Sequence, residues 1–315
     1  MDTLRFDGRV AIVTGAGGGL GRSHALLLAS RGAQVVVNDL GGSVSGTGSD
    51  VGPAEVVTGE ILDRGGVAVA DTNSVATPEG GAAIVAQAME SFGRVDIVVN
   101  NAGIIRDAPF VETTPDRLDP VLDVHVKGAF NVTRPAWSIM RAQRYGRVVN
   151  TTSLSGLVGQ VGQTNYGTAK AGLLGLTRIL ALEGESSGIT VNAVAPTAVT
   201  RMMLQAMENT TEGASDPESL EMFTSFMRRL DPDLVSPVVA YLAHESCSVT
   251  GQIFTAGGGA VSRMFLGRTP GIHVTDLTIE DVASRLDEVL AEPGYTVPMT
   301  TGEEMSHMFE GLTPP

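Results

Sequence analysis

The stretch RVAIVTGAGGGLG, Arg9 to Gly21, decides the fold. Arg9 to Thr14 is apolar and β-branched, the composition of a strand buried on both faces. It runs without a break into a glycine-rich turn, Thr14 to Gly21, with a helix expected from about Leu20 onward. Strand, turn and helix start in that order make a place for a phosphate. The first-turn amides lack intrahelical partners, the helix dipole is positive there, and Gly15, Gly19 and Gly21 carry no Cβ to hold a pyrophosphate away. A tight strand-to-helix turn with no ligand is the plainer alternative, and the flanking elements weigh against it.

Outward from this stretch the same alternation continues. Further β-rich runs are expected at Ala33 to Asp39, Val67 to Asp71, Val95 to Asn100, Gly146 to Thr152, Ile189 to Ala195 and Gln252 to Gly257, each separated by a helical spacer. Seven strands joined this way predict an α/β fold, a Rossmann-type doubly wound parallel sheet with helices on both faces. Three stretches break the rhythm. LGGSVSGTGSDVGP, Leu40 to Pro53, reads as a loop that wraps a ligand or moves freely. Residues 201–232 are helical in pattern and rich in methionine (Met202, Met203, Met207, Met222, Met227, with Phe223 and Phe226), which suits a lid over an apolar substrate or a helix packed inward. Residues 265–315 form an acidic C-terminal extension with one expected helix, Ile279 to Leu290, after a main domain of residues 1–264.

Composition narrows the function classes. The chain of 315 residues has a formal net charge of -14 and a pI of about 4.7, which disfavours nucleic acid as a partner. One cysteine, Cys247, precludes an internal disulfide and a cysteine-clustered metal site, and no metal is expected. The N-terminus lacks a signal-like apolar core, and no apolar run reaches the ~18 residues of a membrane span. A cytoplasmic location is the expectation.

Asp39 ends the second strand, where a carboxylate can hydrogen-bond both adenosine ribose hydroxyls. A 2′-phosphate would meet like charge there, and no Arg or Lys lies between Leu40 and Arg64 to offset it, so NAD is expected over NADP. A loop-bonding role for Asp39 is the alternative. Farther along, TNYGTAK, Thr164 to Lys170, sets a tyrosine and a lysine one helical turn apart on one face. Free tyrosine has a pKa near ~10. An ammonium about 4 Å away, at an effective dielectric of ~20, contributes ~4 kcal/mol, enough to pull the Tyr166 phenol toward neutrality. Ser153 follows the fifth strand at the carboxyl edge of the sheet, where its hydroxyl can hold a substrate oxygen beside that phenol.

TGAGGGLG, NNAG (Asn100 to Gly103), Ser153 and YGTAK (Tyr166 to Lys170) in this order resemble the short-chain dehydrogenase/reductase family over roughly Arg5 to Arg263. The resemblance implies that Tyr166 is the general acid/base, that Lys170 lowers its pKa and holds the nicotinamide ribose, and that Ser153 orients the hydroxyl or carbonyl. It places Gly15, Gly19, Leu20, Gly21, Asp39, Leu40, Asn73, Ser74, Val75, Asn101, Ala102, Gly103, Pro196 and Thr200 around the dinucleotide, with Tyr166 and Lys170. Asn73 stands where the family usually has an acid, and Pro196-Thr197 where it has Pro-Gly. His125 stands where an asparagine often completes a proton relay, so it is either a catalytic relay residue or a packing histidine.

VVVNDLGG with its long loop, NAGIIRD, His125, GQTNYGTAKAGLLGL and HESC are similar, together, to the dehydrogenase domains of peroxisomal multifunctional enzymes of type 2. That resemblance implies NAD-dependent oxidation of a 3-hydroxyacyl-CoA, a bulky or steroid side-chain thioester included. A free 17β-hydroxysteroid is the alternative substrate, and a non-catalytic NAD-binding module is the alternative of another class. Arg106, Arg201, Arg228 and Arg229 are candidates for the CoA phosphates, and a homo-dimer or tetramer is expected through the helices carrying Asp119 to Asn131 and Tyr166 to Glu183.

Overall fold

Alternate residues of the first strand, β1 (Val10–Thr14), bury on opposite sides: Ala11 and Val13 join one apolar cluster, Val10 and Ile12 another. In this computed structural model, which describes residues 3–200, 227 and 229–310, the strands that follow are β2 (Gln34–Asn38), β3 (Val67–Asp71), β4 (Ile97–Asn100), β5 (Gly146–Thr151), β6 (Ile189–Pro196), β7 (Ile253–Gly257) and β8 (Ala260–Met264). The spatial order is β3-β2-β1-β4-β5-β6-β7-β8, parallel from β3 through β7. The eighth strand corrects the expected seven. Gly258 and Gly259, both at positive φ, turn the chain back within two residues, a connection too short for anything but an antiparallel return.

Helices α1 (Gly19–Ser30), α2 (Gly52–Asp63), α3 (Pro78–Phe92), α4 (Pro115–Leu122), α5 (Gly128–Gln143), α6 (Leu154–Leu157), α7 (Thr164–Gly184) and α8 (Ser236–Ala243) supply the outer layers. Leu28 of α1, Val57 and Ile61 of α2 and Leu242 of α8 cover one face; Ile84 of α3, Met140 of α5 and Ala181 of α7 cover the other. Each fully buried aliphatic side chain contributes about 1.5–3 kcal/mol.

Two prolines shape the helices beside the site. Pro120 in α4 has no N–H to give the Asp116 carbonyl, and Arg106 Nη1 takes that carbonyl at 2.6 Å. Pro135 in α5 frees the Asn131 carbonyl in the same way, and Gly81 of α3 lies so close that a Cβ would overlap this oxygen. Between α4 and α5 the chain makes a π-helical turn, Asp123–Lys127, that carries His125.

The amino edge of the sheet is closed by charge. Asp96, fully buried, accepts from the Val10 N–H at 2.9 Å and from Arg94 and Arg9, while the Arg9 and Arg147 guanidiniums lie 3.7 and 4.3 Å from the Tyr145 ring centroid. The carboxyl edge is open where the order reverses between β1 and β4, the crevice that such sheets use for ligands.

The chain divides into compact units at Met1–Arg263 and Met264–Pro315. Within the second, the single expected helix Ile279 to Leu290 is broken. A capping box of Thr278 and Asp281 starts α9 (Ile279–Ser284), Ser284 hydrogen-bonds back to the Glu280 carbonyl, and Arg285 leaves helical geometry before α10 (Leu286–Leu290). A further helix, α11 (Thr301–Glu310), is joined to the strand-like bridge at Arg268 by the Arg268–Glu304 ion pair, and Phe265 stacks on Tyr295. Among the described residues no helix is long and apolar enough to cross a membrane, and no cluster of three metal-ligating side chains occurs.

Candidate active site

The ends of β1, β2, β4 and β5 and the start of α7 enclose a cavity of about 570 Å³. At its glycine end, Gly15 adopts φ +63°, and a Cβ there would stand 2.8 Å from the Ala102 Cα. Gly21 stands behind the turn and is not itself among the residues lining the cavity. Its missing Cβ instead makes room for the Gly15 carbonyl, packing the helix onto the turn. Gly19 faces open space, with only Thr200 Cγ2 at 3.4 Å from a built Cβ. No acidic side chain sits in the first turn of α1. Free first-turn amides around open space fit a diphosphate.

Asp39 lines the cavity and is already engaged: Oδ2 accepts from Gly17 N–H at 2.8 Å and Oδ1 from Gly41 N–H at 2.7 Å. A carboxylate has about four lone-pair sites, so this loop bonding leaves room for two ribose hydroxyls. Gly17, unnamed by the motif reading, is thus the residue that orients the acid; a Cβ on it would stand 2.8 Å from the Asp39 carboxyl. Leu20, Leu40, Ser74, Val75, Ala102, Gly103, Pro196 and Thr200 also line the cavity.

Asn73 borders the cavity, yet its amide turns inward to Asp71 Oδ2 at 2.8 Å. Asp71 also accepts from Asn38, so the Asn73 amide, on an exposed residue at the cavity rim, is held by one bond to a buried carboxylate. Asn101 donates to the Thr14 and Gly15 carbonyls at 2.9 and 3.1 Å, tying the exit of β4 to that of β1. The loop after β2 is hydrogen-bonded over the rim: Ile105 N–H donates to Val44 O and Arg106 Nε to Ser45 O. With Asp116 O as its second partner, Arg106 gives two of its five donors to backbone carbonyls and is held at the rim. Arg201, Arg228 and the lid methionines, Met227 excepted, lie outside the described residues.

At the other end, Asn165 starts α7 firmly. It is fully buried, donates to the Arg106 and Arg117 carbonyls, and accepts the Tyr166 N–H at 2.8 Å. Lys170 follows one turn on, its Nζ donating to the Thr151 carbonyl at 2.6 Å and lying 5.5 Å from the Tyr166 ring centroid. Thr152 Oγ1 donates to the Lys170 carbonyl at 2.8 Å. Ser153 stands close enough to the Tyr166 phenol to oppose the rise in its pKa, and the exit of β5 and one face of α7 bring all three side chains to the one cavity.

Electrostatics here run against the simplest expectation. Burial pushes the Tyr166 phenol up to about 12, offset in part by Ser153 and reinforced by the negative charge of Asp107. Burial also takes Lys170 down to about 7. Desolvation acts on both partners and is the leading cause for each. His125 is buried and held well below its usual pKa, by desolvation first and by Lys170 second. Its Nε2 meets the Ile104 carbonyl at 2.8 Å and its ring stands edge-on to Tyr166 at 5.3 Å. The ring thus lies between the segment after β4 and Tyr166 of α7, lines the cavity, keeps its Nδ1 without a hydrogen-bond partner among the described residues, and makes no hydrogen bond to Lys170.

Three comparisons place this geometry. A short chain dehydrogenase family model matches residues 9–212. A short-chain type dehydrogenase/reductase of Mycobacterium tuberculosis is 48% identical over 282 residues, 89% of this chain and 93% of that one. The peroxisomal hydratase-dehydrogenase-epimerase of Saccharomyces cerevisiae is 44% identical over 268 residues, 85% of this chain and 28% of that one. The full-length peroxisomal multifunctional enzyme type 2 from Drosophila melanogaster superposes with a TM-score of 0.78 at 37% identity, covering 98% of this chain and 50% of that chain. This chain thus spans half or less of those two multifunctional relatives.

Proposed function

The chain belongs to the short-chain dehydrogenase family of oxidoreductases, and from that premise we propose that it oxidises a 3-hydroxyacyl-CoA to the 3-ketoacyl-CoA with NAD. The observation that carries the reading is the convergence of Ser153, Tyr166 and Lys170 on one cavity with the glycine turn and Asp39. Similarity to a hydratase-dehydrogenase-epimerase supports the hydroxyacyl substrate. Asp39 supports NAD: among the described lining residues the sole Lys or Arg is Lys170, so none stands beside Asp39 to take a 2′-phosphate.

In this reading Tyr166 Oη takes the substrate hydroxyl proton while Ser153 holds the same oxygen. Lys170, when protonated, faces the developing phenolate, and the Thr151 carbonyl fixes its ammonium. A bound oxidised nicotinamide supplies a hydride acceptor and a positive charge. His125 and Ile104 keep the tyrosine face dry. We also propose a homo-oligomer through α5 and α7, whose outer surfaces leave Phe130, Ile179 and Leu182 about half exposed.

The test is NADH formation by the purified protein with a (3R)-3-hydroxyacyl-CoA, run beside a free 17β-hydroxysteroid, NADP in place of NAD, and a Tyr166→Phe control. Thioester turnover with NAD that collapses in the control is expected. Turnover of the steroid alone would replace the substrate, a preference for NADP would overturn the role of Asp39, and silence with every pair would favour a non-catalytic binding module.

A further inference from the structure

A line of hydrogen bonds leads from Ser153 along the cavity wall, through the lining residues Ser155 and Gln163, to the half-buried Asp107. Ser155 N–H donates to Ser153 Oγ at 3.2 Å, and Ser153 Oγ lies 3.4 Å from Ser155 Oγ. Ser155 Oγ donates to Gln163 Oε1 at 2.6 Å, and Gln163 Nε2 donates to Asp107 Oδ2 at 2.9 Å. The backbone holds the far end in place: Ala108 N–H donates to Gly162 O at 2.9 Å, Ala108 bridges to Gln163, and Arg117 Nη1 donates to the Asp107 carbonyl. We propose that Asp107 is a positioning residue which, through Gln163 and Ser155, leaves the Ser153 hydroxyl proton free to be donated toward the Tyr166 phenol or the substrate oxygen. The proposal rests on the catalytic reading of Ser153 and Tyr166 above.

Polarity decides the direction at every link. An ionised carboxylate can only accept, so the Gln163 amide must turn its NH2 toward Asp107 and its carbonyl toward Ser155. Ser155 has one hydroxyl proton, and that carbonyl takes it. Ser155 therefore meets the Ser153 oxygen with its N–H and cannot give Ser153 its hydroxyl proton. The Ser153 proton is left with a weak partner at 3.4 Å, free to swing to a phenolate or a ketone oxygen when either forms. Remove the carboxylate and the amide has two orientations, one of which donates to Ser155 and reverses the line.

Asp107 has no better explanation as an ion pair. It is half-buried, its Oδ1 has no hydrogen-bond partner among the described residues, and the neighbouring Arg106 and Arg117 donate to carbonyls instead. A lone carboxylate in that position costs stability. Three titratable groups surround Tyr166: Asp107 from the segment after β4, His125 from the π-helical turn and Lys170 on its own helix. Asp107 is the one that raises the phenol pKa by its charge, so a neutral isostere must move that titration to lower pH.

The experiment uses Asp107→Asn, Gln163→Leu, their double variant and Ser155→Ala, with thermal melts to establish folding. Each single variant is expected to lower kcat roughly 10- to 100-fold with NADH affinity, read by fluorescence, unchanged. The double variant should be no worse than the weaker single, because the two act in series. The Tyr166 phenol, followed by 13Cζ NMR in the free protein and identified with Tyr166→Phe, should titrate at lower pH in Asp107→Asn. Wild-type kcat in Asp107→Asn, or losses that multiply in the double, would overturn the proposal. If the wild type turns over no substrate offered, the functional reading falls by itself, and an unmoved phenol titration would then refute the role of Asp107.

Discussion

A single buried cation shows how far this site sacrifices stability for chemistry. Lys170 is 3% exposed and its pKa falls to about 7, against 10.5 for the free side chain. The unfolded chain therefore binds more protons between those values. The cost of burying the ammonium is fully present below about pH 7 and disappears as pH rises toward 10.5. Lys170→Met should raise the melting temperature at pH 6, by a stabilisation on the order of a few kcal/mol, and make little difference near pH 10. Calorimetry at the two pH values checks this, and turnover should fall roughly 100-fold or more in the same protein. A variant less stable at pH 6 would mean that the ammonium bond to the Thr151 carbonyl outweighs desolvation. That Lys170 and Tyr166 share one helical face was legible from their spacing, and the glycine turn and Ser153 before them singled the pair out. Their pKa values were not legible, since the notion of mutual attraction omits the apolar walls supplied by Ile104, Val121 and Ala169.

At the scale of elements, α1 is clamped to the start of α8 by His24, whose ring meets Ser236 Oγ at 2.8 Å, and to the turn before it by Ser23, which donates to Asp233. Burial takes His24 down to about 3 and moves His125 the same way. Both stay neutral in the folded chain while the unfolded chain binds protons below about 6.5, so stability is lost as pH falls through that window. The loss from His24 amounts to several kcal/mol by pH 3 as an order of magnitude. Melting temperature should drop steeply from pH 6.5 downward, and His24→Gln should flatten the slope; an unchanged slope would assign the acid limb to carboxylates. The strands of the sheet were legible because period and β-branching report burial directly. The eighth strand was hidden in a glycine turn, and the tail helix was over-read because Ser284 and Arg285 act through local hydrogen bonds that hydrophobic period does not register. Asp107, Gln163 and Ser155 carried no motif signal, since their line is visible only once Asp107 and Gln163, 56 positions apart in the chain, are brought together.

For the whole molecule, the expected homo-oligomer is checked by sedimentation: a species at a multiple of 32.7 kDa should dominate, and Phe130→Asp should shift it toward the monomer. A monomer for the wild type would sink it. The two edges of the sheet carry different bonds. Asp96, Arg9, Arg147 and Tyr145 pin the amino edge with partners drawn from within the fold, while the carboxyl edge is organised around space for a ligand. Amide hydrogen exchange should therefore be polarised along each strand. Amides near Val10, Asp96 and Arg147 open only with the whole domain and exchange equally slowly with or without NADH. Those of Gly17, Asn101 and Tyr166 open locally, and their exchange should slow when the dinucleotide is added. Binding would then deepen protection at one end of the β-layer and leave the other untouched, so that the strands act as levers anchored at a fixed end.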